Sequence, residues 1–431
     1  MDRHIHLLSF LINSPVNHTI CSWADPDDNR LEALGDVHIW QDLAKTLERG
    51  MFDGIFFADT LGVFDRYKDR VDDAVRYGAA WPTHDPVVLL SALIAETKNL
   101  GLAATISTGP NHPYSVVRSL GTLDRLSGGR IGWNIVTGHL RGEHRAFGLP
   151  ELPHDQRYDR ADEYMELCYK LWESIGEGAI LADKASRQFA DPSKVALVQH
   201  EGEYFRCQTV GPVWPSPQGR PVLFQAGSSG RGQQFAVKHA DVVFAVNPTL
   251  AGMKKFMADF QVAAEAGGRT PKVSFGLQPI VGGTEAEAKA KLEEIKERIP
   301  LDAALTRLSG TLGVDFSTYE LDRPLQEIQT QASQGLMKAM AGQGEGFTLR
   351  EAATRYALSI GMPQIVGAPE QVADQMEEIW RETGCLGFNV TPHIMPSSVE
   401  DFVDQVVPIL QKRGIYRTEY PGATFRENLG L

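Results

Sequence analysis

Apolar residues along this chain fall into short continuous runs that alternate with longer stretches of helical period. "IHLLSFLI" (Ile5–Ile12) precedes an amphipathic stretch around Trp40–Leu47. "GIFFAD" (Gly54–Asp59) is followed by "DPVVLLSALIAETKN", where Asp85 can cap a helix and Pro86 can take its first position. "LGLAATIST" leads to a helix near Ser115–Leu126, and "RIGWNIVT" to "DRADEYMELCYKLWESI". Farther on, "PVLFQAG" (Pro221–Gly227) meets a helix at Arg231–His239, and "DVVFAV" one at Leu250–Ala266. "KVSFGLQPIVG" meets "EAEAKAKLEEIKERI", and "LGFNVTP" (Leu386–Pro392) meets "SVEDFVDQVVPILQKRG". Strands without an exposed polar face belong to a parallel sheet covered on both sides. Eight strand–helix units in 431 residues predict a single closed (β/α)₈ TIM barrel over 1–431. A doubly wound open sheet is the runner-up, but no glycine fingerprint follows the first strand.

Two segments break the alternation. Residues 178–218 are rich in Pro, Gly, Asp and Ser, and residues 301–363 carry only weakly helical patches such as "PLQEIQTQASQGLMKAMAG". Both are expected to be insertions that wall or cover a binding site.

Composition narrows the partners. The chain is 42% apolar and 23% charged, with a net charge of -13. That acidity disfavours nucleic acid and anionic membrane surfaces and serves solubility. The first apolar run is too short for a membrane span and has no cleavage site, so a cytoplasmic protein is expected. Cys21, Cys168, Cys207 and Cys385 have neither metal nor redox spacing and read as free thiols.

In a parallel barrel, the carboxyl ends of the strands build the site. Here they carry Asp59; Thr105, Ser107 and Thr108; Thr137, Gly138 and His139; Gln225, Gly227, Ser228 and Ser229; and Asn389, Thr391 and His393. Each alone could be an ordinary polar junction. Together they predict a polar pocket floor. "QAGSSGRG" (Gln225–Gly232) ends a strand, turns on small residues and starts a helix. This arrangement suits a phosphate held by Ser228, Ser229 and helix N–H groups, with Arg231 as counter-charge. A tight turn with a serine cap is the other reading. In "HDQRYDRADEY", His154 and Tyr158 are four apart and share a helix face. They could donate to a phosphate, or belong to a solvated helix start. "HIH" at His4–His6 lies at the wrong end of its strand for a barrel metal site, so no metal is expected; nor is there a GxSxG elbow.

The stretches "LAKTLERGMFDGIFFAD", "HPYSVVRSLGTLDRLSGGRIGWNIVTGH", "HDQRYDRADEYMELCYKLWES", "FADPSKV", "SPQGRPVLFQAGSSGRG" and "VDQVVPILQKRGIYRTEYPG" run nearly end to end. In them the chain resembles the bacterial-luciferase-like flavin-dependent monooxygenases. The branch is that of nitrilotriacetate monooxygenase component A, dibenzothiophene sulfone monooxygenase and long-chain alkane monooxygenase. The resemblance implies a luciferase-like barrel with reduced FMN (FMNH2) at the carboxyl-end mouth and O2 as co-substrate. Dioxygen would add at the flavin C4a carbon, with FMNH2 arriving from a separate NAD(P)H:flavin reductase. Carried over by motif, Asp59 and Thr105 would lie beside the flavin ring. Thr137 and His139 would lie at its edge or near its ribityl chain, with His139 as catalytic candidate. His154, Tyr158, Ser228 and Ser229 would hold its phosphate end. A homo-oligomer, dimer or tetramer, is also implied. A deazaflavin- or flavin-dependent dehydrogenase on the same fold, and a metal-dependent barrel hydrolase, are the alternatives.

Departures bear on the substrate. The alkane enzyme's "NCVGH" reads "NSPVNH" here, with Ser14 at its cysteine. Ala80 and Phe64 stand at its glutamine and tyrosine. Phe64 and Trp81 would form an apolar wall for a small hydrophobic or aromatic compound (sulfone, haloaromatic, amine or alkane), or simply pack in the core.

Overall fold

Eight parallel strands close into a ring. They are β1 (His6–Ile12), β2 (Gly54–Ala58), β3 (Gly101–Ser107), β4 (Ile131–Val136), β5 (Val222–Gln225), β6 (Val242–Ala245), β7 (Lys272–Val281) and β8 (Gly387–Val390). Each pairs with the next, and β8 returns to β1 in the register His6↔Gly387. The computed structural model describes residues 4–227, 229–324, 330–341 and 346–431. The architecture is the (β/α)₈ barrel that the alternation predicts.

Period-two alternation gives each strand an inner and an outer face. In β2, Phe56 points inward to pack with Phe10, Phe224 and Phe244, while the next residue, Phe57, faces the helices with Trp40 and Leu90. Both faces are therefore apolar, which is why the runs show no polar alternation. The helices start where the sequence predicts: Asp85 accepts from Val87 N at 2.8 Å with Pro86 at the first position. The carboxyl-terminal tail closes the amino end of the barrel. Phe425 fills the space beneath Gly101 and Gly132, where a Cβ would meet its ring.

The insertions differ from expectation in instructive ways. Residues 178–218 fold into two antiparallel hairpins, Ile180–Asp183 with Gln188–Ala190 and Val198–Glu201 with Arg206–Thr209. The second is clamped to helix His154–Glu173, where Glu163 accepts from Tyr204 N and Phe205 N. At its end, Gln218 reaches Asp124 and the carbonyl of Ile131 at the start of β4. This segment braces the outer ring. The second insertion is larger than its weak helical signal suggests. The helix Glu285–Glu297 packs with strand Gln364–Gly367, which adds to the far half of β7. Helix Pro369–Thr383 takes its place on the barrel wall through Val372, Met376 and Trp380. Helices Leu301–Leu312 and Leu349–Ser359 join Ile12, Ala58 and Phe64 in a cluster over the carboxyl ends of β1 and β2.

Candidate functional site

A recess of about 530 Å³ opens beside the carboxyl ends of β2 and β3. Its walls include Asp59, Val63, Trp81, Thr105, Ser107 and Phe147. Backbone position, not flexible reach, sets these groups. The Thr105 hydroxyl donates to the Phe57 carbonyl at 2.8 Å and accepts from Asn134 Nδ2 at 2.9 Å. Asn134 Oδ1 remains buried without a partner among the described residues. Trp81 lines the recess and is 39% exposed. Phe64 does not stand on this wall: it is buried against Gly310 and the insertion cluster, and its neighbour Val63 takes the lining position.

Three ionisable groups at this end are shifted by their surroundings. Burial, with Asp85 and Glu143 nearby, pushes the Asp59 carboxyl up to about 7, against a hydrogen bond from Thr60 N. His139 lies exposed on the turn after β4 and is not among the residues that line the recess. Desolvation by neighbouring protein atoms, with Arg157 and His144 close by, brings its imidazole down to about 4, so it is neutral near pH 7. Burial also raises Glu143, which accepts from Ser107 Oγ at 2.5 Å. Glu143 packs against Gly138, whose φ of +67° and closeness to the carboxylate leave no room for a side chain. It thereby ties the end of β3 to the turn that presents Thr137 and His139. Sequence reading missed Glu143 because a glutamate within "RGEHRAF" carries no signal of burial.

The two anion-site candidates converge. His154 Nε2 lies 3.2 Å from Ser229 Oγ, although 75 residues separate them. Ser229 caps helix Gly230–His239, its Oγ accepting from Gly232 N at 3.0 Å. A Cβ on Gly232 would come 2.8 Å from the Tyr158 hydroxyl and 2.9 Å from Ser229 Oγ, whereas Gly230 faces open space. Burial raises the Tyr158 phenol, against the lowering effect of Ser229 and Arg157, so it is a neutral donor. The result is a small cradle of hydroxyl, imidazole and helix N-terminus, suited to a phosphate. Ser228 lies outside the described residues. Arg231, the expected counter-charge, is paired with Asp159 and Asp162, at 3.0 and 2.5 Å. Arg157 acts on both Tyr158 and His139, and Arg231 also lies 5.6 Å over the Tyr158 ring.

His6 is bonded to Asp53 at 2.8 Å at the amino end of the barrel. Among the described residues, no group of three or more His, Cys, Asp and Glu is placed to hold a metal. Among the same residues, no helix is long and apolar enough to cross a membrane.

Comparison with known proteins places this geometry. Dibenzothiophene-sulfone monooxygenase of Rhodococcus erythropolis (strain XP) is 40% identical over 100% of this chain and 97% of its own length. Long-chain alkane monooxygenase of Geobacillus thermodenitrificans (strain NG80-2) is 38% identical over 100% of this chain and 94% of its own. The crystal structure of a riboflavin lyase with modified FMN and riboflavin superposes with a TM-score of 0.93 at 36% identity, covering 100% of this chain and 96% of that one. Residues 18–386 match the family model described as luciferase-like monooxygenase, and with a barrel of that architecture and relatives of that kind along its whole length, the chain belongs to the luciferase-like monooxygenases.

Proposed function

We propose that this protein is the oxygenating component of a two-component system. It takes FMNH2 from a separate flavin reductase and uses dioxygen to oxygenate a small organic compound. The observation that carries the reading is the cradle of His154, Tyr158, Ser229 and the glycine-lined start of helix Gly230–His239. Its donors suit a phosphate monoester: Gly232 lets the Tyr158 and Ser229 hydroxyls close on the helix start, while the side at Gly230 stays open. Asn134 Oδ1, buried without a partner among the described residues, offers an acceptor to a ring N–H. Names of relatives point the same way, since they include an FMNH(2)-dependent dimethylsulfone monooxygenase.

When bound, reduced FMN supplies the electrons that activate dioxygen; the protein supplies position and proton control. His154, Tyr158 and Ser229 would hold the phosphate, while Asp59, Thr105 and Thr137 would fix the ring near the recess. His139, neutral, carries one ring N–H to donate to an oxygen at the mouth. Asp59, poised at about 7, can take up or release a proton there. Trp81 and Phe147 offer an apolar wall to the substrate and displace water that would divert oxygen to hydrogen peroxide. We assign Phe64 to packing beneath that wall. The relatives act, by name, on a sulfone, on alkanes and on dimethyl sulfide, so the substrate is sought among sulfur compounds, alkanes, amines and haloaromatics.

Anaerobic titration with reduced FMN tests the reading, followed by oxygen and that substrate panel with a generic flavin reductase. Ser229→Ala should weaken FMN binding about tenfold, the equivalent of one charge-assisted hydrogen bond. Failure to bind reduced FMN, with Ser229→Ala indistinguishable from the parent, overturns the proposal.

A further inference from the structure

The phosphate cradle joins two helices that are distant in sequence, so its shape depends on how those helices meet. In helix His154–Glu173, residues 154, 158 and 162 recur every fourth position and share one face. His154 and Tyr158 belong to the cradle, and Asp162 follows one turn later. Opposite stands helix Gly230–His239, which carries the other half of the cradle at its start. Contacts run along the seam between them. His154 Nε2 meets Ser229 Oγ at 3.2 Å, and Phe235 packs on Tyr158 with ring centroids 5.6 Å apart.

Asp162 closes this seam from both ends of the second helix. Its Oδ2 accepts from Arg231, the helix's second residue, at 2.5 Å. Its Oδ1 accepts from His239, the last residue, at 2.6 Å and from Lys238 at 3.0 Å. His239 is 1% exposed, and its Nδ1 lies 3.1 Å from the Tyr169 hydroxyl. With Nε2–H donating to Asp162, Nδ1 accepts from Tyr169, and the imidazole is held at both nitrogens. Burial would raise the Asp162 carboxyl, but His239, Arg231 and Lys238 hold it well below the usual range, so it stays ionised. The helix has other anchors. Phe235, Ala236 and Val237 are buried in the core, and Arg269 donates to the carbonyls of Val237, Lys238 and Ala240. Asp162 therefore adds register to a helix that is already docked.

We propose that Asp162 is the positioning residue of the phosphate cradle. Through Arg231 and His239 it sets helix Gly230–His239 so that Ser229, Tyr158 and the helix N–H groups converge on one phosphate monoester. The inference rests on the flavin reading and adds to it a residue that acts through two others. Hydrogen bonds weaken steeply with distance and angle, so a helix displaced by about 1 Å no longer aims its donors at one point.

Comparing FMN with riboflavin, which lacks the phosphate, tests this by titration of the full chain. Asp162→Ala should weaken FMN binding about tenfold, the equivalent of one charge-assisted hydrogen bond, and leave riboflavin binding unchanged. Inorganic phosphate, titrated without flavin, should lose affinity in parallel with FMN. His239→Phe leaves Arg231 paired with Asp162 and should weaken FMN several-fold with the same selectivity. Asp162→Asn keeps the shape and one acceptor; it should show a smaller selective loss, and it carries the test should the alanine variant fail to fold. Equal losses for FMN and riboflavin make Asp162 a packing residue and overturn the proposal. Tighter FMN binding by Asp162→Ala means that Asp162 keeps Arg231 from the phosphate, and overturns it too. A parent chain that binds neither FMN nor inorganic phosphate fails the flavin reading itself. A parent that binds FMN, with all three variants unchanged, fails only the positioning role.

Discussion

The two mouths of this barrel differ in how far their buried charges are paired. At the amino end, Asp53 accepts from Leu7 N and His6, both at 2.8 Å, and from Arg417, which also donates to the Asn428 carbonyl at 3.1 Å, although Arg417 Nη1 and Asn428 Nδ2 stay without partners among the described residues. Arg130 makes no ion pair among the described residues, yet its N–H groups reach backbone carbonyls and Thr97. At the carboxyl end, Arg307, His18, Asn13, Asn17 and Asn134 keep buried polar atoms without partners among the described residues. Asp59 is held near neutrality there by burial. Satisfied groups stabilise the chain, while unsatisfied ones are held ready for something that binds. The barrel concentrates its stability at one end and its chemistry at the other.

Removing a partner at the amino end should have the largest effect. Arg417→Met leaves Asp53 in the core with His6 alone, and a broken buried pair costs about 3–5 kcal/mol. Urea or thermal unfolding should show that loss, in contrast to the gain expected for Arg307→Met, which deletes a buried guanidinium whose Nε and Nη1 have no partner among the described residues. If both substitutions shift stability in the same direction, the contrast between the mouths is wrong.

Most of the barrel was legible in the sequence because its strands are apolar on both faces and its helices are marked by caps such as Asp85. The ring of strand ends was legible for the same reason, since topology alone brings Asp59, Thr105 and His139 to one mouth. Three things were not. Helix Pro369–Thr383 replaces Glu285–Glu297 on the barrel because strand Gln364–Gly367 is too short to announce itself. Arg231 pairs with Asp159 and Asp162 because they lie on the neighbouring helix, a proximity that no local pattern encodes. Arg307 and Glu143 look like surface charges in the chain and become buried only through tertiary packing. Asn134, a polar residue inside "IGWNIV", was a visible exception that sequence reading passed over.

A smaller effect is expected at the mouth itself. His139→Ala should leave folding and FMN binding nearly intact while lowering product formed per flavin oxidised by about tenfold, the equivalent of one charge-assisted hydrogen bond. The missing product should appear as hydrogen peroxide, measured by a peroxidase-coupled assay. Unchanged coupling would remove His139 from the oxygen chemistry and leave Thr137 and Asp59 to carry that end.

The subtlest comparison is between the two carboxylates. Burial alone would raise Asp53, but Arg417 and His6 more than offset it and hold it below its ordinary range. Its contribution is therefore present at neutral pH and lost as pH falls below about 4, the ordinary aspartate value. Asp59 is raised to about 7, so between about pH 4 and that value the folded chain holds a proton that the unfolded chain has lost. Its contribution must fall as pH rises through that window and stay level above it. Asp59→Asn removes the titration, and stability measured across the window should lose its downward slope, with the gain over the parent greatest above pH 7. Parallel profiles for parent and variant would mean that Asp59 is ionised like a surface carboxylate, and the proton assigned to it at the mouth would have to come from elsewhere.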